Sequence, residues 1–68
     1  MKIFVNGKIQ TVNASPPSLQ NVLIILGYNP KLIVVEYNGK VLPPTHWKNQ
    51  DVKDEDSLEI VTIVGGGN

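Results

Sequence analysis

Two Asn-Gly dipeptides, Asn6-Gly7 and Asn38-Gly39, constrain this chain more than any other feature, because each sits between runs of strand-forming residues. A two-residue type I′ turn needs positive φ at both central positions, and asparagine followed by glycine meets that need with little strain. The spacing therefore predicts two hairpins. Lys2 to Asn6 returns as Lys8 to Val12, and Leu32 to Tyr37 returns as Lys40-Val41-Leu42. Pro43-Pro44 stops the second return strand, since proline cannot donate to a ladder. The near-continuous apolar run of Leu32 to Tyr37 predicts burial on both faces or a crossing point in the sheet. A last strand, Ile60-Val61-Thr62-Ile63-Val64, ends abruptly at Gly65-Gly66-Gly67, with Asn68 after it.

Between the hairpins, Leu19, Val22, Leu23 and Leu26 recur at the i, i+3, i+4, i+7 spacing of a helix with one apolar face. Ser15 and Ser18 are both candidate caps, Pro16 suits a first helical position, and Gly27 ends the helix in a left-handed conformation. Ile24 and Ile25 fall off the apolar stripe, so they widen the core face, stand singly exposed, or form a partner-facing patch. Thr45 to Gln50 reads as one helical turn or an irregular loop, with Trp47 folded back as an apolar anchor. A last strand that enters the sheet beside the first one would run parallel to it, with the helix crossing one face. The expected class is α+β: a β-grasp, ubiquitin-like mixed sheet with one main helix packed on one face. Residues 1–64 would form the domain and residues 65–68 a flexible glycine tail.

Function classes narrow by exclusion. With 68 residues there is room for one small core and no cleft between domains. Six lysines against six acids and no net charge argue against a nucleic-acid binder working through bulk positive charge, and against attraction to membranes. There is no cysteine, and His46 is the only histidine, so neither a disulfide framework nor a thiolate or histidine metal cage can form. His46 beside Trp47, without a serine, cysteine or second histidine nearby, reads as a surface or packing residue. Asp51, Asp54, Glu55, Asp56 and Glu59 lack the glycine and spacing of a calcium loop. They read as a solvated turn, or as a cluster that steers a basic partner. Met1 to Val5 meets Asn6-Gly7 too early for the apolar core of a signal peptide, which predicts a cytoplasmic location.

Chain ends rich in glycine are often no more than loose ends, but this one follows a strand expected in the middle of the sheet. Several segments together resemble the small ubiquitin-like sulfur carriers, most closely the thiamin-pathway carriers of the ThiS family. They are Asn38-Gly39-Lys40-Val41-Leu42-Pro43 with Trp47 shortly after, the turn from Val52 to Asp56, and Ile63-Val64-Gly65-Gly66-Gly67. The resemblance covers nearly the whole chain. Two departures stand out: Glu55 replaces the glycine usual in the acidic turn, and Asn68 extends past the diglycine.

The resemblance implies a carrier and not an enzyme, a cosubstrate with no catalytic residue and no bound cofactor or metal. Gly67 would carry the reactive carboxylate, first as an adenylate and then as a thiocarboxylate, with Gly65 and Gly66 as the flexible part of the tail. ATP would be used by a ubiquitin-activating-type adenylyltransferase, a sulfur donor system would supply sulfur, and thiazole synthase would receive it. Asn68 would have to be removed first, because it turns the Gly67 carboxylate into an amide; it also reads as a cloning remnant. Two alternatives stand beside this one: a molybdopterin-pathway carrier, against which the short chain and the Pro43 to Trp47 region speak, and a noncovalent ubiquitin-like interaction module, which needs the sheet surface but no free glycine end.

Overall fold

The computed structural model describes residues 1–63. Strands β1 (Lys2–Val5) and β2 (Lys8–Thr11) form the first hairpin, with Asn6 at φ 50° and Gly7 at φ 82°. Strands β3 (Ile33–Tyr37) and β4 (Lys40–Val41) form the second, with Asn38 at φ 50° and Gly39 at φ 88°. Both dipeptides thus adopt the two left-handed conformations that the I′ turn requires. Helix α1 (Leu19–Ile25) lies between the hairpins, a 3₁₀ turn (Pro30–Leu32) leads into β3, and a second 3₁₀ segment (Pro44–Asn49) follows β4. Strand β5 (Ser57–Thr62) comes last and enters the middle of the sheet, whose order is β2-β1-β5-β3-β4. It runs parallel to β1, with Val5 beside Leu58, and antiparallel to β3, with Val35 beside Ile60. One main helix on a mixed five-stranded sheet is the expected ubiquitin-like β-grasp.

Helix α1 is shorter at its start than the proline signal suggests. Ser18 is the cap, its hydroxyl accepting a hydrogen bond from the Asn21 N–H at 3.2 Å, and Pro16 lies before the helix and not at its first position. The chain around the cap is tied to the stretch after the second 3₁₀ segment. Leu19 N–H donates to the Gln50 carbonyl at 2.7 Å, and Val52 N–H donates to the Pro17 carbonyl at 2.8 Å. Those partners occupy backbone groups that another helical turn would claim. At the other end Gly27 has φ 93°, Tyr28 N–H donates to the Leu23 carbonyl and Gly27 N–H to the Ile24 carbonyl, both at 3.0 Å. This pair of bonds is a Schellman closure.

Leu19, Val22 and Leu23 from the helix meet Ile3 and Val5 of β1, Ile33 and Val35 of β3, and Leu58 and Ile60 of β5 in one buried cluster. Trp47 completes it, 2% exposed, with its indole N–H donating to the Leu42 carbonyl at 2.8 Å. Each aliphatic side chain so buried contributes about 1.5–3 kcal/mol of transfer free energy, so this cluster carries the fold. Strand β3 is a correction to the sequence reading: Ile33 and Val35 are buried, whereas Val34 is 40% exposed and Glu36 is exposed. Its apolar run is covered on one face only, because a single short helix cannot cover both faces of five strands. Ile24 and Ile25 are about half exposed, on the helix side turned away from the core.

Candidate functional site

The tail inferred from sequence leaves β5, so the site is built from what holds that strand. β5 has a ladder on each side, and the turn asparagines add side-chain bonds to both. Asn6 Oδ1 accepts from the Ile60 N–H at 2.7 Å, and its Nδ2 donates to the Ile60 carbonyl at 3.2 Å. Asn38 Oδ1 accepts from the Ser57 N–H at 2.8 Å, and the Asn38 N–H donates to the Ser57 carbonyl at 2.8 Å. Each asparagine therefore sets its turn and grips the central strand, from opposite sides. Asparagine in this role gives no signal in the sequence beyond the turn itself.

Nor is the acidic turn simply solvated. Asp56 Oδ2 accepts from the Lys53 N–H at 2.8 Å and from the Tyr37 hydroxyl, while Asp56 Oδ1 accepts from Asn38 Nδ2 at 3.1 Å. Asp54 Oδ1 accepts from the Lys2 N–H at 2.6 Å. Two of the five clustered carboxylates are thus structural acceptors that fix where β5 begins. Burial works to raise the Asp56 pKa, but the bonds from Tyr37, Lys53 and Asn38 outweigh it and hold the carboxyl below its ordinary value. Burial and the bond to Asp56 push the Tyr37 phenol up to about 12. Glu55, where the resembling carriers have glycine, sits at φ 70° with its N–H donating to the Lys2 carbonyl at 2.6 Å. The departure noted in the sequence is therefore a glutamate held in a left-handed conformation. No group of three or more His, Cys, Asp or Glu among the described residues could hold a metal ion.

The face of the sheet opposite the helix is open. Phe4 opposes Ile9 across β1 and β2, and Val34 opposes Val61 across β3 and β5, all four of them exposed. Leu32 and Ile63 extend this apolar surface to the end of the described chain, where Ile63 N–H donates to the Leu32 carbonyl at 2.6 Å. Where the chain turns away from β3 at Pro43, an apolar groove opens beside it, lined by Val34, Val41, Pro43, Pro44, Trp47 and Ile63. Which face the helix covers is a tertiary fact, and sequence alternation alone does not choose it. Gly65, Gly66, Gly67 and Asn68 lie outside the described residues, which stop at Ile63, on the rim of that open face. No helix among the described residues is long and apolar enough to cross a membrane.

With this geometry in place, comparison with known proteins becomes specific. The model of the ThiS family matches residues 3–67. The chain belongs to the ThiS family. The ThiS-family chain is similar over 98% of its length to a crystal structure of a thiamine biosynthesis protein (ThiS) from Geobacter metallireducens, with a TM-score of 0.81, 33% identity and all of that chain covered. It is 41% identical over 68 residues to the protein ycf40 of Pyropia yezoensis, covering 98% of this chain and 93% of that one. It is also 34% identical over 67 residues to a thiazole synthase of Paramagnetospirillum magneticum, of whose length the match spans only 20%. A region similar to this chain is therefore one part of that longer protein.

Proposed function

We propose that this chain is a sulfur carrier of the thiamin pathway, acting in the cytoplasm as a cosubstrate whose reactive group is the carboxylate of Gly67. A carboxylate is a poor acyl donor until its oxygen becomes part of a good leaving group. A ubiquitin-activating-type adenylyltransferase would bring this about by joining the carboxylate to the α-phosphorus of ATP with loss of pyrophosphate. Sulfur from the persulfide of a donor system would then replace AMP on the acyl carbon. The resulting thiocarboxylate would pass to thiazole synthase. The carrier's own contribution is reach and anchorage. Glycines without Cβ can thread a channel that side chains would block, and three of them span roughly 10 Å when extended.

One observation carries this reading: in a ThiS-family chain, the strand that leads to Gly65-Gly66-Gly67 is the central strand of the sheet, held by ladders on both sides and by Asn6 and Asn38. A tail handed between enzymes is best rooted where local opening is costliest. Similarity to a thiamine biosynthesis protein and to part of a thiazole synthase favours the thiamin branch.

Asn68 leaves Gly67 in amide linkage, so removal of Asn68 precedes activation. Intact-mass analysis tests the whole reading. The chain ending at Gly67 is incubated with the adenylyltransferase, ATP and a persulfide donor, and should gain the mass difference of sulfur for oxygen, whereas the chain retaining Asn68 should not. Thiocarboxylate formed with Asn68 retained would sink the processing step. No thiocarboxylate on either chain would sink the carrier. The open apolar face also suits a noncovalent interaction module; such a module would keep its partners after deletion of Gly66 to Asn68, and a carrier would lose its activity.

A further inference from the structure

The open sheet face holds a pair of charges that the fold does not neutralise. Glu36 and Glu59 are direct cross-strand partners in the β3–β5 register and both are exposed. Like charges directly opposite on a sheet destabilise it. The carboxylate hydrogen bonds among the described residues fall on Asp54 and Asp56, not on this pair. The lysines are poorly placed to help. Lys8 and Lys40 are cross-strand partners of Val5 and Tyr37 on the helix side of the sheet, and Lys2 opposes Thr11 at the far end of the first hairpin. Lys31, Lys48 and Lys53 lie outside the strands, and the chain has no arginine.

Around the pair the surface is apolar. One step along the same strands Val34 opposes Val61, beyond them come Leu32 and Ile63, and on β4 Val41 is the cross-strand neighbour of Glu36. An exposed apolar field with two uncompensated carboxylates inside it fits one kind of occupant. We propose that this face docks a protein surface presenting an arginine ringed by apolar side chains, with its guanidinium seated between Glu36 and Glu59. Arginine suits the seat because its planar fork can offer N–H donors to two carboxylates at once, whereas a lysine ammonium is a compact, strongly hydrated point charge. The apolar rim would exclude water around the ions and so strengthen their attraction, and relief of the Glu36–Glu59 repulsion would add to it. Resting on the carrier reading, the occupant is thiazole synthase, which must hold the domain while it takes the tail.

Titration calorimetry of the chain ending at Gly67 against the thiazole synthase of the same organism tests this. The isosteric double variant E36Q/E59Q should bind at least tenfold more weakly than the unsubstituted chain, while K2Q, at the far end of the same face, should bind unchanged. Raising salt from low to several hundred millimolar should weaken the unsubstituted chain and leave E36Q/E59Q nearly unaffected. The melting temperature of E36Q/E59Q should equal or exceed that of the parent, which separates lost docking from lost folding. Binding of E36Q/E59Q within twofold of the parent, or no binding by the parent, overturns the docking surface. The carrier reading has its own readout: glutamate-dependent binding without any thiocarboxylate would keep the surface and discard the carrier, and undiminished binding by E36Q/E59Q with thiocarboxylate formed would do the reverse.

Discussion

At Asn6 two demands fall on one side chain. Positive φ at the turn is met as well by glycine, but only asparagine also pairs with both backbone groups of Ile60. Asn6→Gly is expected to keep the hairpin and lose about 1–3 kcal/mol, because the Ile60 N–H and carbonyl are left without that partner; urea denaturation measures it. A loss no greater than a few tenths would mean that water replaces the amide without cost. Glu55 points the other way. Its left-handed backbone costs a non-glycine residue about 1–2 kcal/mol, so Glu55→Gly should raise stability by somewhat less than that, since glycine also gains freedom when unfolded. An unchanged denaturation midpoint would show that the turn is not strained.

The Tyr37–Asp56 bond makes stability depend on pH at both ends. Asp56 titrates below its unfolded value, so its contribution is complete above about pH 4, the ordinary aspartate value, and disappears as pH falls through the lower folded value. Tyr37 is raised from 10.0 to about 12, so its contribution is complete below pH 10 and disappears as pH rises through 12. Tyr37→Phe should flatten the alkaline limb of a stability-against-pH curve and make the acid limb shallower. If the alkaline limb stays as steep, another group is responsible for it.

Among the elements, the second 3₁₀ segment shows how a single residue organises irregular backbone. Pro44–Asn49 has no side-chain cap, and it is held by Trp47 inserted into the core with its indole N–H on the Leu42 carbonyl. Trp47→Phe removes both ring volume and the donor, and should cost about 2–4 kcal/mol, between a conservative core change and full truncation. Hydrogen exchange should then quicken at Leu19 and Val52, whose N–H groups pair with Gln50 and Pro17 on either side of this join. Uniform exchange across the whole domain would mean that the join is not a separate unit. The elements themselves were legible in sequence because each has local chemistry: Asn-Gly for the hairpins, the 3.6-residue stripe for α1, Gly27 for its end. The start of α1 was less so. Ser15-Pro16-Pro17-Ser18 satisfies helix-start rules in two ways, and contacts with Gln50 and Asp51, more than thirty residues away, choose Ser18.

For the whole molecule, the consequential fact is that β5 is central while one face of the sheet stays bare. Every residue of the buried cluster lies within residues 1–63, so deleting 65–68 should leave the melting temperature within a degree or two while abolishing thiocarboxylate formation. A fall of several degrees would show that the tail also supports the fold. The bare face explains the misread strand. Leu32 to Tyr37 was expected to be buried on both sides because its composition is that of a buried strand, yet Val34 stays exposed beside Val61. Composition reports that a side chain is apolar and not what covers it. The same limit hid the roles of Asn38, Tyr37 and Asp56, which come together only when the second hairpin meets the acidic turn.

The sequence by itself determined the class of this protein: two hairpins, one short amphipathic helix, a last strand and a glycine end, together with the residues on which the ThiS-family resemblance rests. Those are local properties, decided by φ preference, side-chain periodicity and the missing Cβ of glycine, and they hold whatever the rest of the chain does. Tertiary structure alone decided which face the helix covers, that Asn6 and Asn38 grip β5, that Asp54 and Asp56 are spent on backbone and Tyr37, and that Glu36 and Glu59 stand opposite each other among exposed apolar side chains. Strand register determines each of these, and register depends on which distant segments pair, a choice that no window of sequence contains.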